Sequence, residues 1–171
     1  MWSSESRVAV TSQPGDSASA PAKPAKDINV YKDVYMQNPG LLPKGGVSGW
    51  YAFRVSPRGS YNYSGRLHET GLFTTDRAGY EVVGVCVVRF ADGTAFHFSK
   101  HGRVYGGAEA GSRDYNWNNG GYNRAIRDAW KASGGVWRTS CSVGVNSTVY
   151  SQLKRALQVV GYASKVIEVV A

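Results

Sequence analysis

No stretch of the chain approaches the roughly 18 consecutive apolar residues that a bilayer-spanning helix requires, so a helical membrane span is excluded. The opening residues, Met1-Trp2-Ser3-Ser4-Glu5-Ser6-Arg7, lack a basic stretch followed by an apolar core and do not make a conventional signal peptide. The expected location is the cytoplasm, or the virion or host cytoplasm for a viral protein. The phosphate loop GxxxxGK[ST], GxGxxG after a strand, HExxH, GxSxG and the deaminase PCxxC are all missing, which removes the main support for nucleotide, zinc-protease and serine-hydrolase chemistry. No cofactor and no metal are expected. Cysteine is scarce: Cys86 and Cys141 stand alone in strand-like apolar runs without CxxC spacing, and read as two small buried hydrophobes rather than a disulfide or metal site. The glycosylation patterns at Asn62 and Asn146 read as chance matches without a secretory route.

What the chain does have is positive charge held in its folded part. The formal net charge is +8 over 171 residues. In residues 1–27, Arg7, Lys23 and Lys26 are balanced by Glu5, Asp16 and Asp27, so residues 28–171 carry the whole excess, 17 Lys/Arg against 9 Asp/Glu. Eleven of those cations are arginines, which bind phosphate in a bidentate fashion and stack on planar rings. A polyanionic partner is the first expectation, and simple solubility the bland alternative. At 42% hydrophobic residues the chain can bury a core, and its length suits one domain.

The Ser/Ala/Pro-rich stretch up to residue 27 reads as a flexible tail, and residues 28–171 as one basic domain. Within it, Ile28 to Met36 suggests a short strand or a helical turn. Gly49 to Ser56 alternates, with Tyr51, Phe53 and Val55 on one face and Trp50, Ala52 and Arg54 on the other. Two β-rich runs, Tyr80–Phe90 and Thr94–Ser99, meet at Asp92-Gly93, which predicts a central hairpin with a two-residue type I′ loop. That register pairs Arg89 with Phe96 and Val88 with His97, placing Cys86, Val88, Phe90 and His97 on one side.

Residues 105–122 show no hydrophobic period and read as a long loop. A helix is expected over Tyr122–Ala132, stopped by Gly134-Gly135, then a strand at Trp137–Val145. A second helix over Thr148–Val160 is capped by Asn146 or Ser147 and ends at Gly161, and a closing strand covers Lys165–Val170. The order predicts an α+β fold, mostly antiparallel sheet with about two helices in the C-terminal half.

Three groups of residues stand out. The expected loop offers Arg113, Tyr115, Trp117 and Tyr122, suited to stacking on exposed bases or sugars, unless Trp117 folds back as a plug on the core. The first helix carries Arg124, Arg127 and Lys131 at i, i+3 and i+7, a cationic stripe able to follow phosphates, or a solvated face with Asp128 as partner. His97, His101, Arg103, Glu69 and Glu109, with His68 and Asp114 nearby in type, could supply the base, acid and cation of a metal-free nuclease, although nothing in their spacing makes them converge.

The leading expectation is a nucleic-acid-binding protein, of RNA or single strands rather than a sequence-specific duplex reader, such as a small viral or phage protein. The competing readings are a small metal-free nuclease or translocated effector, and a structural, coat or glycan-binding module. The balance favours binding over catalysis, and a homo-oligomer is compatible with the sequence.

Overall fold

The fold is known from a computed structural model that describes the backbone of residues 6–12 and residues 26–37, 45–74 and 78–169 in full. It contains nine strands and two helices among those residues. One sheet has the order β1-β8-β5-β6-β9, from Ser6–Ser12, Trp137–Val145, Tyr80–Phe90, Thr94–Val104 and Lys165–Glu168. The other has the order β2-β3-β4-β7, from Ile28–Gln37, Gly46–Val55, Ser60–Glu69 and Asp114–Tyr122. All neighbours are antiparallel except β6 and β9. Helix α1 is Arg124–Ala132 and α2 is Val149–Val160, so the expected α+β class with helices in the C-terminal half is what the chain adopts.

The two sheets pack face to face because alternate residues of each point at the other. Tyr51, Phe53 and Val55 of β3 and Tyr61, Tyr63 and Leu67 of β4 meet Cys86, Val88 and Phe90 of β5 and Phe96 and Phe98 of β6 in one buried cluster. Aromatic edges organise it: Phe53 meets Phe98 at 4.8 Å between ring centroids, and Phe90 meets Trp130 of α1 at 5.5 Å. Rings of this size each remove roughly 150–250 Å² from water on burial, so the core is held chiefly by these inward positions. Strand β5 is apolar on both faces because α2 covers the far side of its sheet, where Val83, Val85 and Val87 pack on Ala156 and Val160. Helix α2 is capped by Thr148, whose hydroxyl accepts from Ser151 N, not by Asn146 or Ser147. Its deepest positions are Gln152, Ala156 and Val160, with Leu153 and Leu157 only partly covered.

Besides the α2 cap, three expectations are corrected. The hairpin loop has three residues: Arg89 pairs with Ala95, Val88 with Phe96 and Val87 with His97. Gly93 adopts φ 94° and donates to Phe90 O, while Asp92 accepts from Thr94 N, the geometry of a three-residue loop with a left-handed third residue. The one-residue shift turns His97 away from Cys86 and Val88, onto the α2 side with Val87 and Arg89. Arg89 therefore has no Phe96 beneath it and donates to Tyr162 O instead. Second, Cys86 and Cys141 are direct cross-strand partners, 4.0 Å apart at Cα, and form a disulfide. Sequence spacing could not reveal this, because β5 and β8 become neighbours only through the fold.

Third, residues 114–122 are strand β7 rather than loop; the alternation was hidden because its outward positions are Asn and Gly, residues rare in strands. Within the stretch read as a tail, the backbone of residues 6–12 pairs with β8 from Ser6 opposite Gly144 to Ser12 opposite Arg138. Residues 1–5 and 13–25 lie outside the described part. No described helix is long and apolar enough to cross a membrane.

Candidate functional site

The outer face of the β2-β3-β4-β7 sheet is not covered by either helix, since α2 packs on β5 and β8 and α1 packs on Phe90 and Trp137. Its residues are those left over when Val30, Val34, Tyr51, Phe53, Tyr63 and Leu67 turn inward. Cross-strand register arranges them in rows. Asp33, Trp50, Arg66 and Asn116 are successive partners; Tyr31, Ala52, Ser64 and Asn118 form the next row; Tyr35, Ser48, His68 and Asp114 flank the first on its other side.

Two aromatic side chains form the platform's apolar centre. Tyr31 is 63% exposed and stacks on Trp50 at 6.0 Å with ring planes 17° apart. Tyr35 adds a third outward ring, 49% exposed. Large rings on an uncovered sheet face are unusual for a purely structural surface. Next to Trp50, Gly49 has φ 154°, and a side chain there would run into the carbonyl of Arg66, so β3 and β4 approach closely at the centre of the face.

Hydrogen bonds fix the polar part. Arg66 Nε and Nη2 each lie 3.0 Å from Asp114 Oδ1, and His68 Nδ1 lies 2.8 Å from the same oxygen. Partial burial works against ionising Asp114, but the bonds and charges of His68 and Arg66 outweigh it and hold the carboxyl below its ordinary value. Asn62 donates to Asn118 at 3.0 Å, and Tyr31 OH donates to Asp33 at 3.2 Å. Arg54 is paired with Asp27 at 2.6 Å. The face is thus amide-rich, and its two arginines are neutralised where they stand.

The end of this face near the β3–β4 turn is basic. Arg58 lies in that turn, and Asn123 N donates to Gly59 O, tying the start of α1 to it. Tyr122, 58% exposed, is the last outward residue of β7, and Asn123 caps α1 through Ala125 N. From that cap, Arg124, Arg127 and Lys131 project into solvent opposite the buried Ile126, Ala129 and Trp130. Arg124 and Arg127 approach Asp128 only loosely, at 3.9 and 3.5 Å.

Of the aromatic group expected on a loop, only Tyr122 is free in this sense. Trp117 is 7% exposed and meets the edge of Tyr63 at 5.5 Å, and Tyr115 stacks on Trp117 from the partly buried position above Gly102. Arg113 is spent on structure, donating to the carbonyls of Glu69 and Gly71. The acid/base set scatters. His97 bonds Ser99 on the α2 side of the five-stranded sheet, where burial lowers its pKa against the pull of Glu168. His101 is exposed beside Glu81 and Ser147. Arg103 binds Glu81 and Ala78 O. Glu69 is buried and accepts from Gly46 and Gly71 N, and Glu109 accepts from Thr74 and Gly106 N. Both acids lace loops together. Among the described residues no three His, Cys, Asp or Glu are grouped to hold a metal.

Sequence reasoning separated Trp50 and Arg54 from the buried face of β3 but attached no role to them. The available signal was a tryptophan at an outward strand position; what was missing was the knowledge that neither described helix packs over that face and that Tyr31 stacks beside it. Fold and face together define a class, a two-sheet sandwich with one sheet backed by a helix and the other presenting an open aromatic and amide platform. No family model matches the chain, and no curated protein or solved structure matches it either.

Proposed function

We propose that the protein is a single-stranded nucleic-acid-binding module, RNA or DNA, whose bases lie on the open face of the four-stranded sheet. The observation that carries this is the stacked pair of an exposed Tyr31 and a half-buried Trp50 on a face neither described helix covers. Every base has a π-face, so such a platform accepts a strand with little sequence preference, at roughly 1–3 kcal/mol per stacked base. The amides of Asn116, Asn118 and Asn62 can reach base edges, and the phosphates follow the basic end formed by Arg58, Arg124, Arg127 and Lys131. A flat sheet face suits splayed single strands better than a duplex, whose major groove admits a helix or ribbon.

Fluorescence polarisation with single- and double-stranded oligonucleotides at two salt concentrations tests the reading. Binding of single strands with a log–log salt slope of about −3, the value for four neutralised phosphates, supports it. No binding at low salt rejects it.

One observation favours a second reading. Arg54 and Arg66 are already neutralised by Asp27 and Asp114, and an amide-rich face with stacked rings also suits a neutral oligosaccharide. Salt-independent binding of a neutral glycan with no oligonucleotide binding would move the assignment there.

A further inference from the structure

On the opposite side of the molecule, α2 and the segment leading into β9 enclose a groove of about 420 Å³. Its floor is Leu153, Leu157, Ala163 and Val166. Its walls are Tyr150 and Tyr162, which are 73% and 81% exposed, the most exposed large hydrophobic side chains described. This volume falls within the range of small-molecule sites, which are mainly apolar with a few placed polar groups. The groove exists because Gly161 ends α2 at φ 95° and turns the chain back across the helix, while Arg89 holds the turn by donating to Tyr162 O.

Charge says which occupant fits. Lys154, one turn after Tyr150, is the one charged residue lining the groove, and it is exposed with no acidic partner among the described residues. The other charged side chain on this face of β9, Glu168, is the register partner of His97 and lies past the end of the lining. Helix α2 has no acidic residue at all. A ligand with an apolar body and one negative group would bury its body between the tyrosines and leave its charge at Lys154. We propose that this groove binds a small amphipathic monoanion, an aromatic or aliphatic body bearing one carboxylate or sulfonate. The site is separate from the sheet platform and does not depend on the function proposed there.

The probe is the aromatic sulfonate 8-anilinonaphthalene-1-sulfonate, titrated into the full chain and followed by its fluorescence. Saturable binding at one site is expected. Lys154→Met should weaken it by about twofold to fivefold, the scale of one exposed ion pair, and leave the uncharged analogue N-phenyl-1-naphthylamine unaffected. Tyr162→Ala should weaken both probes. Unchanged thermal midpoints in both variants show that the fold is intact. Oligonucleotide binding should not change in either variant, which separates failure here from failure of the platform. The proposal is overturned if binding does not saturate, if Lys154→Met binds the sulfonate as the wild type does, or if light scattering shows that a second copy of the chain occupies the groove at the concentrations used.

Discussion

Tyr31 on β2 lies diagonally from Trp50 on β3, and the two rings stack within 17° of parallel on the solvent side of the sheet. Neither contributes to the core cluster, so each can be removed without opening a cavity. Trp50→Ala and Tyr31→Ala should each weaken single-strand binding by roughly tenfold to a hundredfold, the loss of about one stacked base, while shifting the thermal midpoint little. The measurement is oligonucleotide affinity beside a melting curve for each variant. Full affinity in both variants would remove the platform from the mechanism.

Trp117 is the contrasting case. It was a sequence candidate for stacking, yet it lies between the sheets against Tyr63, and a Cβ at Gly65 would come within 2.2 Å of its ring. Gly65→Ala should therefore destabilise the fold by about 1–3 kcal/mol or more through overpacking, read from denaturant unfolding. Trp117→Phe should lower stability by leaving a void, with unchanged affinity in whatever fraction remains folded. Loss of binding with intact stability would place Trp117 in the site.

Much of this fold was legible before the structure, and the failures have distinct physical causes. Strand β8 and the C-terminal ends of α1 and α2 were readable because alternation and helix-stopping glycines are local signals, whereas the helix starts fell two residues later than expected at α1 and on Thr148 rather than Asn146 or Ser147 at the α2 cap. The face of β3 was readable for the same reason, Tyr51, Phe53 and Val55 being large and alternate. The apolar residues on both faces of β5 likewise marked it as central, as it is; the disulfide and the open outer face around Trp50 depend on which elements become neighbours, and no local pattern encodes that. In β7 the code was present but written in unfavourable residues: Tyr115 and Trp117 turn in while Asn116 and Asn118 turn out, and the asparagines and glycines imitate a loop. The hairpin failed on a single residue of loop length, enough to send His97 to the wrong face.

The disulfide between Cys86 and Cys141 joins two central strands and is buried at both ends. Closing so long a loop restricts the unfolded chain, and losing such a bond typically costs about 2–5 kcal/mol. Denaturant midpoints should fall on reduction under unfolding conditions and in a Cys86→Ser/Cys141→Ser variant. Alkylating reagents should label neither residue in the native oxidised protein, and mass spectrometry should find it two hydrogens lighter than the reduced form. Free thiols in the native state would refute the bond.

Glu69 and Asp114 should give stability opposite pH dependences in separate windows. Burial raises the Glu69 carboxyl most strongly, against the bonds from Gly71 and Gly46 and the charge of Arg113, while Glu109 pushes the same way as burial. Its folded state therefore holds a proton that the unfolded chain releases sooner. The stability this provides is complete below the ordinary glutamate value and is lost as pH rises through the raised one. Asp114 is the reverse: its contribution is present above the ordinary aspartate value and is lost as pH falls through its lowered one. The lowered pKa of His97 makes stability fall as pH drops below the ordinary histidine value, the opposite sign to Glu69. The readout must therefore be a difference between proteins at each pH. Subtracting Glu69→Gln from wild type should leave a stability difference that declines as pH rises above the ordinary glutamate range, and subtracting Asp114→Asn should leave one that declines as pH falls below the ordinary aspartate range. Chemical unfolding at a series of pH values measures both. A Glu69 difference that is flat with pH would mean that its proton is not retained in the fold, and that the carboxylate between Gly46 and Gly71 is ionised in its buried place.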